Sequence, residues 1–161
     1  MSTVAVEPRM NAEQFFTWCN RPENRDRHFE LERGDVVEVS RPGERHGFVC
    51  LNVGAILRNY TFGRRKGYAC SNDTGLILER DPDTVRGPDV VLYDEARRYD
   101  DLNPRYSDRP PTLAVEVLSP NDKWGNLTRG ITEFLSGGAP RRFGIATAVS
   151  PGNKVAPSSY G

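Results

Sequence analysis

Apolar residues recur along this chain with two periods, and each change of period marks a change of element. Over residues 10–20 (MNAEQFFTWCN), Phe15, Phe16, Trp18 and Cys19 fall on one side of a helix that Asn11 is placed to cap. Residues 28–32 (HFELE) and 36–40 (VVEVS) alternate apolar and polar around Arg33-Gly34-Asp35, which predicts a β-hairpin. Arg41-Pro42-Gly43 ends it. Spacings of three and four return over 46–60 (HGFVCLNVGAILRNY). Val49, Val53, Ile56, Leu57 and Tyr60 form the expected buried stripe of a second helix, which Gly54 weakens.

Short strands follow. Residues 67–80 contain two, separated by a break at Asn72-Asp73, and Asp81-Pro82-Asp83 makes a turn. Residues 89–93 (DVVLY) form a strand led by Pro88, whose missing N–H is tolerable at a strand start. Residues 95–111 are polar and read as a surface loop. Residues 112–118 (TLAVEVL) are apolar enough for a central strand, apart from one carboxylate. Ser119-Pro120-Asn121-Asp122 leads into a helix over about 123–136 with Leu127, Ile131, Phe134 and Leu135 as its stripe, and Gly137-Gly138 stops it. The order predicts an α/β (α+β) domain with a mixed β-sheet flanked by helices. After Pro140 the pattern fades into Pro, Gly, Asn and Ser. Residues 1–139 therefore read as one domain, and 140–161 as an atypical tail, disordered or out of frame.

Composition changes this picture little. Lys plus Arg and Asp plus Glu number 22 each, so nucleic-acid binding would have to come from local clusters: Arg64-Arg65-Lys66 and Arg141-Arg142. No apolar run approaches a membrane span, and the first residues lack the pattern of a secretory signal, so a cytoplasmic location is expected. Cys19, Cys50 and Cys70 are scattered, with neither disulfide nor CxxC spacing, and read as small core side chains.

Candidate chemistry rests on acidic residues. Glu116 stands between Val115 and Val117 in an apolar strand. Burying a lone carboxylate costs several kcal/mol unless it is paired, protonated or bound to a cation. An ion pair to an arginine and a metal or catalytic site both meet that need. Asp89 opens its strand after Gly87-Pro88. If the two strands are neighbours, both carboxylates point at one place, a donor pair suited to Mg2+ or Mn2+. Glu30 is a third acidic candidate, beside Glu32 and Asp35. His46, read as preceding the second helix, is open to hydrogen bonding, phosphate binding or capping. His28 reads as surface or strand edge.

Three stretches carry a resemblance: HFELERGDVVEVSRPGERHG, TGLILERDPDTVRGPDVVLY and PPTLAVEVLSPNDKWGNLTRGITEFLSGG. In this order, over about residues 10–139, they resemble the Uma-type restriction endonucleases of the PD-(D/E)xK nuclease superfamily. The GPDV and AVEVLSP segments together are its most specific part. The resemblance implies a restriction-endonuclease-like core and metal-dependent hydrolysis of a DNA phosphodiester. It further implies that Asp89 is the Asp of the PD motif, Glu116 the acidic residue of the next strand, Glu30 that of the hairpin segment, and His46-Gly47 a recurrent pair. Nucleases of this type often pair, so a homodimer is expected too.

The sequence departs from that family at the motif lysine. Leu118 stands two residues after Glu116, and where the following helix commonly supplies the lysine, before EF, this chain has Gly130. Arg129 and, less closely, Lys123 are the candidate surrogates. Arg129 can supply charge but not a proton. The departure keeps a second reading open: a catalytically inactive nuclease-fold protein that binds DNA or another protein.

Overall fold

The computed structural model describes residues 9–117. Arg129, Lys123, Arg141-Arg142, the predicted helix over 123–136 and the tail 140–161 lie outside the described residues. The first helix, α1 (Ala12–Cys19), starts as its sequence predicts. Asn11 accepts from Gln14 N, and the Gln14 side chain accepts from Asn11 N, a reciprocal capping box. The expected hairpin is present as β1 (His28–Glu32) and β2 (Asp35–Val39). Arg33 and Gly34 both take positive φ, as a two-residue hairpin turn requires. At Gly34 a Cβ would also sit 3.0 Å from Arg9 Cβ.

The second helix, α2 (Glu44–Arg64), is longer than its stripe indicated and begins before His46, which lies in its first turn. There follow β3 (Tyr68–Ser71), β4 (Leu76–Glu79), β5 (Thr84–Arg86), β6 (Val90–Tyr93) and β7 (Leu113–Val115). The fold class is α+β. Strands β2-β1-β5-β4 make one sheet and β3-β6-β7 another. The named pairings are antiparallel, with one parallel bridge between Leu76 and Ser107.

Strand β6 explains the position of the candidate site. All four of its residues are buried, so both faces are covered. Val91 and Tyr93 pack with Leu76 and Ala114 on one face. Val90 packs with Val115 and Val117 on the other, under Val49, Cys50, Val53 and Leu57 of α2. Each fully buried valine contributes about 1.5–3 kcal/mol relative to an exposed one. A third cluster, Ala12, Phe15, Leu31 and Val85, fastens α1 to the hairpin sheet.

Two expected members of the α2 stripe are corrected: Ile56 is 67% and Tyr60 48% exposed. The face over β6 and β7 runs through His46, Val49, Cys50, Val53 and Leu57, a rotation that leaves both residues on its flank. Phe48, Leu51 and Phe62 are exposed as well. The helix is apolar on more than one side, so periodicity alone could not select the buried face.

Candidate metal-binding active site

The register of two strands brings the acidic candidates together. Val90 pairs with Val115 and Val91 with Ala114, so one step beyond the ladder places Asp89 opposite Glu116. The contact is made through the backbone: Val117 N donates to Asp89 Oδ2 at 2.6 Å, and the Glu116 carboxyl lies close enough to Asp89 to feel its charge. Two neighbouring carboxyl groups oppose each other's charge unless one carries a proton or a cation lies between them.

The electrostatics follow from that geometry. Burial pushes the Glu116 carboxyl up to about 8, and the negative charges of Asp89, Glu30 and Asp73 push the same way. Asp89 is also raised, by burial, although the Val117 N–H and His46 pull it back. Two adjacent half-buried carboxyls, both shifted upward, with Glu30 and Asp73 near enough to add their charge, have the donor chemistry of a divalent-cation site.

Two elements hold the rim. Glu30, on β1, receives Arg86 Nη1 at 2.6 Å and the backbone N–H of Gly87 at 3.4 Å. Arg86 also reaches Glu32 at 3.5 Å. Glu30 thus anchors the Gly87-Pro88 segment that delivers Asp89. Asp73 comes close because Gly87 has no side chain: a Cβ there would lie 2.8 Å from Asp73 O. Across the site, His46 Nε2 lies 3.2 Å from Asp89 Oδ1, and His46 Nδ1 lies 3.3 Å from Cys50 Sγ. Burial, followed by the Asp89 charge, pushes the Cys50 thiol up to about 12.

A family model described as "Putative restriction endonuclease", Uma2, matches residues 12–141. The chain belongs to the Uma2 family. A solved structure from Anabaena variabilis, described as a putative nuclease belonging to DUF820, matches with a TM-score of 0.66 and 16% identity. The match covers 86% of this chain and 74% of that one. At that identity the likeness is one of fold. No curated protein sequence matches the chain.

Within this Uma2 chain, four sequence candidates, Glu30, His46, Asp89 and Glu116, meet at one place. His46 is not the cap of α2, since Gly43 holds that position without a side-chain bond. Instead it faces Asp89. Arg86 pairs with Glu30 at 2.6 Å and reaches Glu32 at 3.5 Å. His28 sits at the rim, 3.8 Å from Asp73 and partly exposed.

Sequence reasoning missed Cys50, Asp73 and Arg86. One usable signal existed for Cys50: it is four residues after His46, one helical turn, and so shares its face. Nothing in the sequence marked Asp73, whose role depends on its loop folding back over Gly87. Of the basic run at the end of α2, Arg64 and Lys66 both turn to Asp94, at 3.2 and 3.8 Å. Arg65 and Lys66 line a groove of about 520 Å³ with Arg58, Phe62 and Tyr68, sharing no residue with the carboxylate site.

Proposed function

We propose that this chain is a metal-dependent DNA endonuclease that hydrolyses phosphodiester bonds, with Asp89 and Glu116 as ligands for Mg2+ or Mn2+. The observation that carries the reading is the meeting of those two carboxyls at the end of β6 and β7, with Glu30 and Asp73 beside them. Family membership supports the reaction class.

When bound, the ion would polarise a phosphoryl oxygen and lower the pKa of an attacking water. The protein's part is positional. The Val117 N–H holds one oxygen of Asp89, His46 approaches the other, and Glu30 fixes the loop that presents Asp89. Glu116, half-buried among valines, would hold the ion as a carboxylate, its proton having passed to solvent. Arg129 is the leading group to steady the charge that develops on phosphate, with Lys123 second. Cutting both strands of a duplex in one binding event calls for two such centres, so the reading includes a second copy of the chain on the DNA. No helix among the described residues is long and apolar enough to cross a membrane.

A second reading rests on a specific feature. Gly130 and Leu118 stand where the motif lysine is expected, which favours an inactive nuclease fold that binds DNA or another protein. Supercoiled plasmid separates the two. The endonuclease nicks it with Mg2+ or Mn2+ and stops in EDTA, whereas the inactive relative leaves it intact with every ion.

A further inference from the structure

One group of side chains at the site is unlike the others. His46, Cys50 and Asp89 each offer one ligand atom, and these atoms lie within 4.8 Å of one another. A hard-oxygen site for Mg2+ has no use for a thiol. His46 and Cys50 stand one turn apart on the face of α2 that covers β6 and β7, so the helix itself holds nitrogen and sulfur side by side.

The cluster is close to the size of the ligand shell of a small tetrahedral ion. With metal–nitrogen and metal–oxygen bonds of about 2.0–2.1 Å and a metal–sulfur bond of about 2.3 Å, neighbouring ligand atoms stand roughly 3.3–3.8 Å apart. His46 Nε2 is 3.2 Å from Asp89 Oδ1 and His46 Nδ1 is 3.3 Å from Cys50 Sγ, so the ring now bridges its two partners through different nitrogens. To offer one nitrogen to a shared ion the ring must turn, and the ligand atoms, now within 4.8 Å of one another, must close by roughly an ångström. The His46 and Asp89 side chains are only 13% and 11% exposed. Val49, Val53, Val90, Val115 and Val117 wall the same region. An imidazole and a thiolate select borderline and soft divalent ions over Mg2+, which keeps its waters and prefers oxygen.

We propose that His46, Cys50 and Asp89 bind a transition ion of the Zn2+ class through nitrogen, sulfur and oxygen, and that this ion competes with Mg2+ for Asp89. The ion has three protein ligands, with its fourth position left to water or phosphate. The competition rests on the assignment of Asp89 to Mg2+ in the proposed nuclease, while the binding itself does not. One carboxylate then serves two alternative ions, and the transition ion withdraws it from the Asp89–Glu116 pair.

The test uses the full chain, stripped with EDTA and desalted, with Co2+ as the spectroscopic probe. Co2+ is expected to give the intense visible bands of a tetrahedral site and a thiolate-to-cobalt charge-transfer band in the near ultraviolet. An equivalent of Zn2+ bleaches both, while a large excess of Mg2+ does not. Cys50→Ser and Cys50→Ala lose the charge-transfer band, Cys19→Ser and Cys70→Ser keep it, and His46→Ala binds Co2+ at least tenfold more weakly. In plasmid nicking, the Zn2+ concentration that halves each protein's own zinc-free rate rises at least tenfold in Cys50→Ser. Lack of Co2+ binding, or a charge-transfer band that survives in a folded Cys50→Ser, overturns the proposal and leaves the nuclease reading standing. Absence of nicking with the Cys50-dependent band intact overturns the nuclease reading and the competition, but not the site.

Discussion

The backbone N–H of Val117 donates to Asp89 Oδ2 at 2.6 Å, and so the residue after Glu116 fixes the orientation of the carboxylate opposite it. The link separates two roles of Asp89, as hydrogen-bond acceptor and as charge. Asp89→Asn keeps an oxygen for Val117 and removes the charge that faces Glu116. Its melting temperature in EDTA should equal or exceed that of the wild type. Metal-dependent nicking should fall by more than about 100-fold, the upper range for losing a group that merely supports a ligand. Comparable nicking by the two proteins would remove Asp89 from the metal site.

Glu116 makes the metal-free protein sensitive to alkali. Its folded pKa, about 8, lies above the ordinary 4.5, so between these values the folded state binds more protons than the unfolded. Stability therefore falls as pH rises through that window, and the cost is complete above about 8. A tenfold change in proton affinity is worth about 1.4 kcal/mol, so the loss should amount to a few kcal/mol. Solvent reaching the half-buried carboxyl reduces it. Denaturant titrations in EDTA at pH 5 and pH 8.5 should show wild type losing more stability than Glu116→Gln. Added Mg2+ should restore the wild type preferentially at the higher pH.

Arg86 compensates the acidic rim. It bonds Glu30 at 2.6 Å and Glu32 at 3.5 Å with its side chain 13% exposed. Arg86→Met keeps the aliphatic length but removes the guanidinium from Glu30, whose charge then bears on Glu116 without it. Loss of about 1–3 kcal/mol is expected in denaturant melts. Glu30→Gln, which still accepts from Gly87 and Arg86, should lose less. Equal losses would mean that Glu30, and not the arginine, is the group at risk.

Far from the site, Asp83 ties α1 to the sheet. It is buried, and accepts from Ala12 N at 2.8 Å, Asp81 N at 3.2 Å and Arg80 Nη1 at 2.8 Å. Burial raises its pKa, but the two N–H bonds and Arg80 outweigh that and hold it below the ordinary 3.8. The stability it contributes is present above that value and lost as pH falls through the lowered one. Asp83→Ala should destabilise by about 1–3 kcal/mol at neutral pH, with a smaller deficit in strong acid. A deficit constant across pH would show that the charge is immaterial.

How much of this was legible depended on the range of each interaction. The hairpin turn at Arg33-Gly34 and the Asn11 cap are local, and their residues specify them. The acidic pair was legible because an isolated carboxylate in an apolar strand is costly anywhere, so Glu116 needed a partner before any contact was known. Strand β5 was missed: Thr84-Val85-Arg86 is too short for a period to register, and it is a strand only because β1 and β4 flank it. Ile56 and Tyr60 were placed inside because α2 is apolar on several sides, and only β6 and β7 decide which side is covered. Cys50 was read as packing, which it also does, against Val90 and Val115. Its place beside Asp89 comes from a helix crossing the end of a strand about 40 residues further on.

The central claim is that Asp89 and Glu116 jointly hold a catalytic divalent ion. Its most direct test is nicking of supercoiled plasmid by purified wild type, Asp89→Ala and Glu116→Ala, each in Mg2+, Mn2+ and EDTA, with folding checked by circular dichroism. The account predicts nicking by wild type with either ion, none in EDTA, and none by either folded variant. A folded wild type that leaves the plasmid intact with both ions, or a folded variant that nicks as well as wild type, would contradict it.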